Sequence, residues 1–248
     1  MLISKKNEVY LTLSDLTQAQ NQELADFFTF EVPNAKFMPM VRKRMWDGKI
    51  RLFSPANGEI YVGLLPYIKE YCKSKNVKYS IGEGVEDERD VMGTVARGFI
   101  KSLKPKSRGK SLKIRDYQIE AFRMALSRNR SLIVSPTASG KSLIIYALVR
   151  YYQLAGNKIL ILVPTKSLVE QMYTDFEDYG WSSGTYCQKV YQGYTTKIDK
   201  EVVISTWQSV YKMPKKYFEQ FDCVIGDEAH MFKAKSLTSI MTKLHQCK

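Results

Sequence analysis

The sequence has few cysteines and histidines, and their spacing suits neither a metal site nor a disulfide framework. Its four cysteines are widely separated and form no CxxC pair: Cys72, Cys187, Cys223 and Cys247. The two histidines, His230 and His245, are too few for a histidine-based metal centre. Because cysteines so placed are typical of reduced thiols, we expect a cytoplasmic protein.

The sequence also lacks long apolar runs. None approaches the roughly 20 residues of a membrane-spanning helix, and the longest are interrupted by Lys, Arg or Pro. The first residues, MLISKKNEVY, lack the basic-then-apolar order of a signal peptide. We therefore expect no membrane partner.

Acidic residues are scarce relative to basic ones. The chain has 25 Asp and Glu against 38 Lys and Arg, a net charge of +13 and an isoelectric point near 9.4. Such a surplus favours a polyanionic partner such as nucleic acid, although a merely basic, soluble enzyme stays open. A length of 248 residues allows one large domain or two modest ones.

The hydrophobic pattern divides the chain into three zones. Residues 1–81 are predicted to form a small α+β domain, because NEVYLTLSD alternates like a strand while TQAQNQELADFFTF and LPYIKEYCKSKN have helical spacing. Residues 82–113 pass from an acidic stretch to a basic one that contains Pro105 and Gly109, which indicates a charged linker.

From residue 114 to 248, apolar β-branched runs alternate with helical segments. SLIVS, KILILV, EVVIST and DCVIG each suit a strand that is buried on both faces. KSLIIYALVRYYQLA and KSLVEQMYTDFEDYG suit the helices between them. This alternation predicts an α/β domain with a parallel sheet and helices on both faces.

A loop of small residues, SPTASGKS, joins the first of these strands to a helix. Small residues let backbone N–H groups surround an anion, and the helix N-terminus adds partial positive charge. Lys141 is predicted to reach the β- and γ-phosphates of a nucleotide, and the Ser142 hydroxyl to hold Mg²⁺. Ser135 replaces the first Gly of the full pattern, and a plain helix start capped by Ser139 stays open.

The run DCVIG ends in two adjacent carboxylates, Asp227 and Glu228, with His230 close behind. Like charges side by side need a cationic environment, and a metal–nucleotide complex provides one. Asp227 is predicted to hold Mg²⁺ through water. Glu228 is predicted to point elsewhere, because neighbouring side chains diverge at a strand end, and to act as catalytic base toward the attacking water.

Asp227 to His230 spells DEAH, and with SPTASGKS it resembles the first motor lobe of superfamily 2 helicases, which is RecA-like. IRDYQIEA, VPTKSLVEQ and ISTWQSVYK resemble the family's Q-motif, motif Ia and motif Ib, in the family's order. The resemblance implies ATP as substrate, Mg²⁺ as cofactor and coupling of the nucleotide site to the neighbouring lobe through His230. The implied ATP-binding residues are Arg115, Tyr117, Gln118, Pro136, Thr137, Ala138, Ser139, Gly140, Lys141 and Ser142. The implied nucleic-acid contacts in this lobe are Pro164, Thr165, Lys166, Thr206, Trp207 and Gln208.

The N-terminal residues resemble one particular group of helicases. FFTF (27–30) and WDGKIR (46–51) are similar to the amino-terminal domain of phage UvsW-type helicases, which implies branch migration and unwinding of DNA junctions. Independently, five cations surround a predicted Asp-Gly hairpin turn and suit phosphate contacts: Arg42, Lys43, Arg44, Lys49 and Arg51. Trp46 is predicted to stack on a base; a core position for Trp46 and a solvated face for the cations stay open.

The chain stops soon after DEAH, before the family's motif III and second lobe. We therefore expect a monomeric N-terminal portion of a helicase that binds Mg-ATP and DNA but hydrolyses ATP poorly, since arginine fingers strongly accelerate phosphoryl transfer. Two alternatives stay open: the motor part of a restriction endonuclease, and a truncated DNA-binding protein without turnover. An RNA duplex or R-loop substrate is equally compatible with the sequence.

Overall fold

The computed structural model describes residues 1–86, 90–128, 130–136, 138–233 and 235–247. The chain divides into two compact units, residues 1–86 and 87–248. Across the described ranges, no helix is long and apolar enough to cross a bilayer.

The first unit is a five-stranded sheet with two long helices and a separate strand pair. Its elements are β1 (Leu2–Lys5), β2 (Tyr10–Ser14), α1 (Gln18–Phe27), β3 (Thr29–Glu31), α2 (Pro39–Arg42), β4 (Lys49–Arg51), β5 (Phe53–Ser54), β6 (Glu59–Tyr61), α3 (Leu65–Ser74) and β7 (Ser80–Ile81), with 3-10 turns at Ala35–Phe37 and Val62–Leu64. The sheet order is β5-β6-β2-β1-β7, and β3 pairs with β4 alone.

Local sequence explains the main elements of this unit. Thr17 and Gln20 form a capping box that starts α1, and such a box satisfies two free backbone N–H groups. Leu24 of α1 and Ile68 of α3 are fully buried against the sheet. Asp47 and Gly48 do not form the expected two-residue hairpin turn, since residues 32–48 separate β3 from β4.

The second unit is a parallel α/β layer structure, as the sequence predicted. Its elements are α4 (Gly93–Ser102), β8 (Lys106–Ser107), β9 (Lys110–Ser111), α5 (Asp116–Ser127), α6 (Lys141–Leu154), β10 (Ile159–Val163), α7 (Lys166–Asp178), α8 (Ser183–Tyr186), β11 (Cys187–Val190), β12 (Val202–Thr206), α9 (Trp207–Val210), α10 (Lys215–Phe218), β13 (Cys223–Gly226) and α11 (Lys235–Lys243), with a 3-10 turn at Ala229–Lys233. The sheet order is β11-β12-β10-β13, with all pairs parallel.

Alternation along β10 builds the two cores of this sheet. Ile159 and Ile161 pack with α6 and α7 on one face, whereas Leu160 and Leu162 pack with α9, α10 and α11 on the other. Because every residue of β10 is buried, the strand has no polar position, which is typical of a central parallel strand.

Two segments differ from the sequence expectation. Residues 82–113 were expected to be a linker, but α4 folds there and buries Ala96 and Ile100 against α5 and α6. SLIVS was expected to be a strand, but residues 131–135 form none, and the side chains of Leu132 and Val134 are 71% and 89% exposed. Strand pairing depends on tertiary contacts that β propensity does not determine.

Candidate nucleotide site and nucleic-acid groove

The small-residue loop turns tightly just before α6. Ala138 and Gly140 both have left-handed backbone conformations, with φ of 63° and 80°. A left-handed non-glycine residue is strained and is typical of functional loops. Pro136 is exposed and its carbonyl accepts a hydrogen bond from the Ser139 N–H. Thr137, predicted to bind ATP, lies outside the described residues.

Residues of the Q-motif hold this loop through hydrogen bonds. The Gln118 side chain donates to the Ser139 carbonyl at 3.0 Å and accepts from the Arg115 N–H at 3.0 Å. The Tyr117 hydroxyl donates to the same Ser139 carbonyl at 2.5 Å, and the Arg115 guanidinium donates to that hydroxyl at 2.9 Å. Gln118 is only 5% exposed. In this structure the Gln118 amide therefore holds the loop from within the protein.

Lys141 meets both carboxylates of the acidic strand end. Its ammonium lies 2.7 Å from Asp227 Oδ1 and 3.0 Å from Glu228 Oε1. Asp227 follows β13, and its N–H donates to the Leu162 carbonyl of β10. The two carboxylates converge on one cation, which differs from the expected divergence. The left-handed conformation of Glu228, with φ of 55°, accompanies this convergence.

The electrostatics of the site favour a charged lysine. Partial burial alone would lower the pKa of Lys141, but hydrogen bonds and charge from Asp227 and Glu228 outweigh it, so the pKa is raised above its usual value. The ammonium therefore stays protonated at neutral pH. His230 is 71% exposed in its side chain, and its Nδ1 lies 3.2 Å from Glu228 Oε2.

Ser142, at the start of α6, interacts with two polar groups at the C-terminal end of α7. Its hydroxyl lies near the Asp175 carboxyl of α7 and the Tyr179 phenol, and it acts to lower the pKa of both groups. Burial raises the pKa of Asp175, and the nearby Ser142 hydroxyl offsets that rise only in part.

A groove of about 560 Å³ opens on the second unit beside the carboxyl ends of β10, β11 and β12. Five residues predicted to contact nucleic acid line it: Pro164, Thr165, Lys166, Thr206 and Gln208. Gln208 donates to the Pro164 carbonyl at 3.3 Å. The sixth, Trp207, is only 5% exposed and packs in the core under α9, so its side chain does not face the groove.

Sequence reasoning missed the loop that forms the other wall of this groove. Tyr191, Gln192, Gly193, Tyr194 and Thr196 line it, and the Tyr191 and Tyr194 ring centroids lie 4.5 Å apart. Lys166 donates to the Gln192 side chain at 2.9 Å. The available signal was two tyrosines around a glycine directly after a strand, a weak pattern by itself.

In the first unit, the predicted cation cluster lies on and beside β4. Arg42, Lys43, Arg44, Lys49 and Arg51 are all exposed. Arg51 forms an ion pair with Asp47, and Lys49 with Glu31 at 3.5 Å. The Trp46 indole is half-buried and donates to the Lys49 carbonyl at 2.9 Å, so its N–H is already used.

The parallel sheet, the left-handed phosphate-loop residues and the Lys141–acid contact define a RecA-like P-loop lobe. A family model described as "Type III restriction enzyme, res subunit" matches residues 111–248, and one described as "DNA helicase UvsW, N-terminal" matches residues 9–82. The chain therefore belongs to the res-subunit family of superfamily 2 helicases, and it is UvsW-like over nearly its whole length.

Known proteins agree with this assignment. The ATP-dependent DNA helicase uvsW of Enterobacteria phage T4 is 35% identical over 238 residues, which is 94% of this chain and 47% of that protein. The DNA 3'-5' translocase XPB2 of Sulfurisphaera tokodaii is 27% identical over 67% of this chain and 34% of its own length. The chain thus spans less than half the length of these two relatives.

Solved structures agree as well. A crystal structure of the UvsW helicase from bacteriophage T4 has a TM-score of 0.90 at 33% identity, over 99% of this chain and 88% of that one. A second T4 UvsW crystal structure has the same TM-score and identity, over 50% of its chain. The predicted fold class, a RecA-like lobe preceded by a small α+β unit, is confirmed.

Proposed function

We propose that this chain forms the ATP-binding lobe and an accessory DNA-binding unit of an ATP-dependent DNA helicase that acts on branched DNA. One observation carries the proposal: the Lys141 ammonium lies within 3.0 Å of carboxylates from a strand end 86 residues downstream. A helix-start lysine facing an acidic strand end is the arrangement that a metal–triphosphate complex requires. The similarity to the ATP-dependent DNA helicase uvsW of phage T4 supports DNA as the substrate, and the choice of branched DNA rests on the resemblance of residues 27–30 and 46–51.

The residues present suit Mg²⁺ with a triphosphate. Asp227 and Glu228 offer hard oxygen ligands, and the cation they already hold is the Lys141 ammonium. Mg²⁺ prefers one or two carboxylates together with phosphate oxygens and water. When bound, it would neutralise charge on the transferring phosphoryl group.

Each residue has a proposed task in ATP binding and hydrolysis. The Gly140 loop presents backbone N–H groups to phosphate oxygens, and Lys141 leaves the carboxylates to bind the β- and γ-phosphates. Asp227 orients the metal shell. Glu228, freed from Lys141, accepts a proton from the attacking water, and Gln118 and Tyr117 keep the loop in its binding shape.

Nucleotide binding by this chain tests the proposal. Lys141→Ala removes a charged donor, and a charge-assisted hydrogen bond contributes about 1.5–3 kcal/mol, so affinity for a fluorescent ATP analogue should fall about 10- to 100-fold. Lys101→Ala, an exposed lysine on α4, is the matched control and should bind normally. Equal binding by both variants would contradict the role of Lys141, and failure of the unmodified chain to bind the analogue would favour a DNA-binding protein without nucleotide turnover.

The family name also raises a restriction-type nuclease as a second candidate. The only Asp/Glu-x-Lys triplet is Asp47-Gly48-Lys49. Its Asp47 accepts a hydrogen bond from Arg51 foremost and another from the Lys49 N–H, which hold its pKa near 2. This turn is satisfied internally, so we favour the helicase; cleavage of plasmid DNA by this chain with Mg²⁺ would reverse that choice.

The remaining assignments rest on resemblance and are proposed with it. DNA contacts are proposed for the groove residues Pro164, Thr165, Lys166, Thr206 and Gln208, and phosphate contacts for the exposed cations around β4. We also propose that the protein is a monomer and that it is located in the host cytoplasm. A second helicase lobe is proposed to complete the ATP site.

A further inference from the structure

Residues 29–51 of the first unit, here called the basic arm, expose an unusual amount of apolar surface. Of the ten large apolar side chains that the described residues 1–86 leave exposed, six belong to the basic arm. Their exposed fractions run from 39% to 71%: Phe30, Phe37, Met38, Met40, Met45 and Ile50. Concentrated exposed apolar surface marks an interaction site on a soluble protein.

The basic arm is folded, so this exposure is not a result of missing structure. Phe30 pairs with Ile50 across β3 and β4, and the Val32 N–H donates to the Gly48 carbonyl. Gly48 is buried with φ of 79°, and a Cβ there would lie 2.8 Å from the Ala35 Cβ. Gly48 therefore packs closely against Ala35, while six of the larger apolar side chains of the arm are exposed.

The same segment carries an excess of positive charge. The basic arm has six Lys or Arg and two acids. Both acids are engaged within the arm, Asp47 by Arg51 and Glu31 by Lys49. Four cations form no ion pair within the described part of the chain: Lys36, Arg42, Lys43 and Arg44. A partner of this surface needs negative charge together with apolar faces.

Nucleic acid has both properties, because its anionic backbone flanks stacked bases. Apolar side chains of DNA-binding proteins insert between base steps or rest on unstacked bases while cations hold the phosphates. An anionic membrane surface shares this chemistry. The helicase nucleotide lobe on the same chain favours nucleic acid.

We infer that the basic arm is a wedge for base pairs at a DNA branch point. Arg42, Lys43 and Arg44 hold phosphates, and the exposed side chains of Phe37 and Met45 rest against the last base pair before the strands part. We assign this contact to Phe37 and Met45 and not to Trp46, because the Trp46 indole is half-buried and its N–H donates to the Lys49 carbonyl. This inference rests on the proposed function and adds the contact that opens the duplex.

A fork with 2-aminopurine at its branch point tests the wedge, because this base fluoresces more strongly when it is unstacked. Binding of the 248-residue chain should raise the fluorescence several-fold. The double variant Phe37→Ser/Met45→Ser should lose most of this rise while its fork affinity stays within about threefold, since the cations remain. Tyr67→Ser, which removes a 54% exposed ring of α3 outside the arm, should behave as the unmodified chain.

Different outcomes test the wedge and the proposed function. Fork binding with an unchanged fluorescence rise in the double variant would overturn the wedge alone, and failure of the unmodified chain to bind forks would overturn the DNA-helicase proposal. Binding of anionic vesicles that the double variant loses would assign the surface to a membrane. Self-association in sedimentation that the double variant abolishes would assign it to a second copy; either result overturns the wedge.

Discussion

At the scale of single residues, strained backbone conformations fall where the chemistry is proposed. Ala138 and Glu228 are left-handed non-glycine residues, one in the phosphate loop and one beside Lys141. Such conformations persist where surrounding contacts enforce them. Here the hydrogen bonds from Gln118 and Tyr117 to Ser139 hold the loop, and the Lys141 ammonium holds Glu228.

Gly140→Ala should lower the affinity for nucleotide more than it lowers the free energy of unfolding. A Cβ at Gly140 would collide with the Gln118 amide, whereas Gly156, with the same φ within 1°, has open space around it. Both substitutions should cost about 1 kcal/mol of unfolding free energy from left-handed strain. Only Gly140→Ala should also weaken ATP-analogue binding, about tenfold or more, because it separates Gln118 from Ser139.

Binding of a fluorescent ATP analogue and urea unfolding of both variants measure these two effects. Gly156→Ala serves as the control for strain without collision. If Gly140→Ala binds nucleotide as well as Gly156→Ala does, then the Gln118–loop contact has no part in nucleotide binding.

At the scale of elements, α4 shows how a segment with linker-like composition becomes structural. Its neighbourhood contains Pro105, Gly109 and many cations, yet Ala96 and Ile100 lie on one helical face and pack against α5 and α6. Phe99 stacks on Phe122 of α5 with the rings nearly parallel. An apolar stripe at helical spacing is enough to dock such a helix.

Ile100→Ala should therefore destabilise the second unit. Ile100 is 2% exposed, whereas Val95 on the same helix is 61% exposed. Loss of a buried Ile side chain costs about 2–5 kcal/mol, and an exposed substitution changes stability by roughly 0.5 kcal/mol or less. Urea unfolding of Ile100→Ala and Val95→Ala measures the contrast; equal stabilities would mean that α4 is not docked.

At the scale of the whole molecule, the net charge of +13 favours binding to a polyanion such as DNA. Cations of the basic arm and Lys166 of the groove are candidates for phosphate contacts. Each phosphate contact releases counterions from DNA, so affinity falls as salt rises. The positive charge therefore predicts that affinity for DNA falls steeply as salt rises, whatever the base sequence of the DNA.

Lys43→Ala should reduce the slope of log affinity against log salt by about 1, because it removes one duplex phosphate contact. Lys75→Ala removes an exposed cation of the same unit that lies 4.0 Å from Glu23 and should leave the slope unchanged. Titrations of duplex DNA at several salt concentrations give both slopes. A slope that is the same in both variants would exclude Lys43 from the phosphate contacts.

The sequence alone specified much of the second unit. β10, β12 and β13 were predicted because strands buried on both faces are continuous apolar runs, and α6 and α7 because their apolar residues recur at helical spacing. β11 was not predicted, since its CQKV sequence mixes buried and partly exposed positions. Residues 131–135 have strand composition without strand pairing, which composition cannot reveal.

Residue types and their order determined the family of this protein and which lysine and which acids could form its nucleotide site, because that chemistry depends on local motifs. Tertiary structure alone decided that both carboxylates meet Lys141, that Gln118 binds the loop, and that Trp207 is buried while Phe37 and Met45 are exposed. These outcomes depend on contacts between segments far apart in the chain, and local periodicity does not encode which side chains those contacts cover.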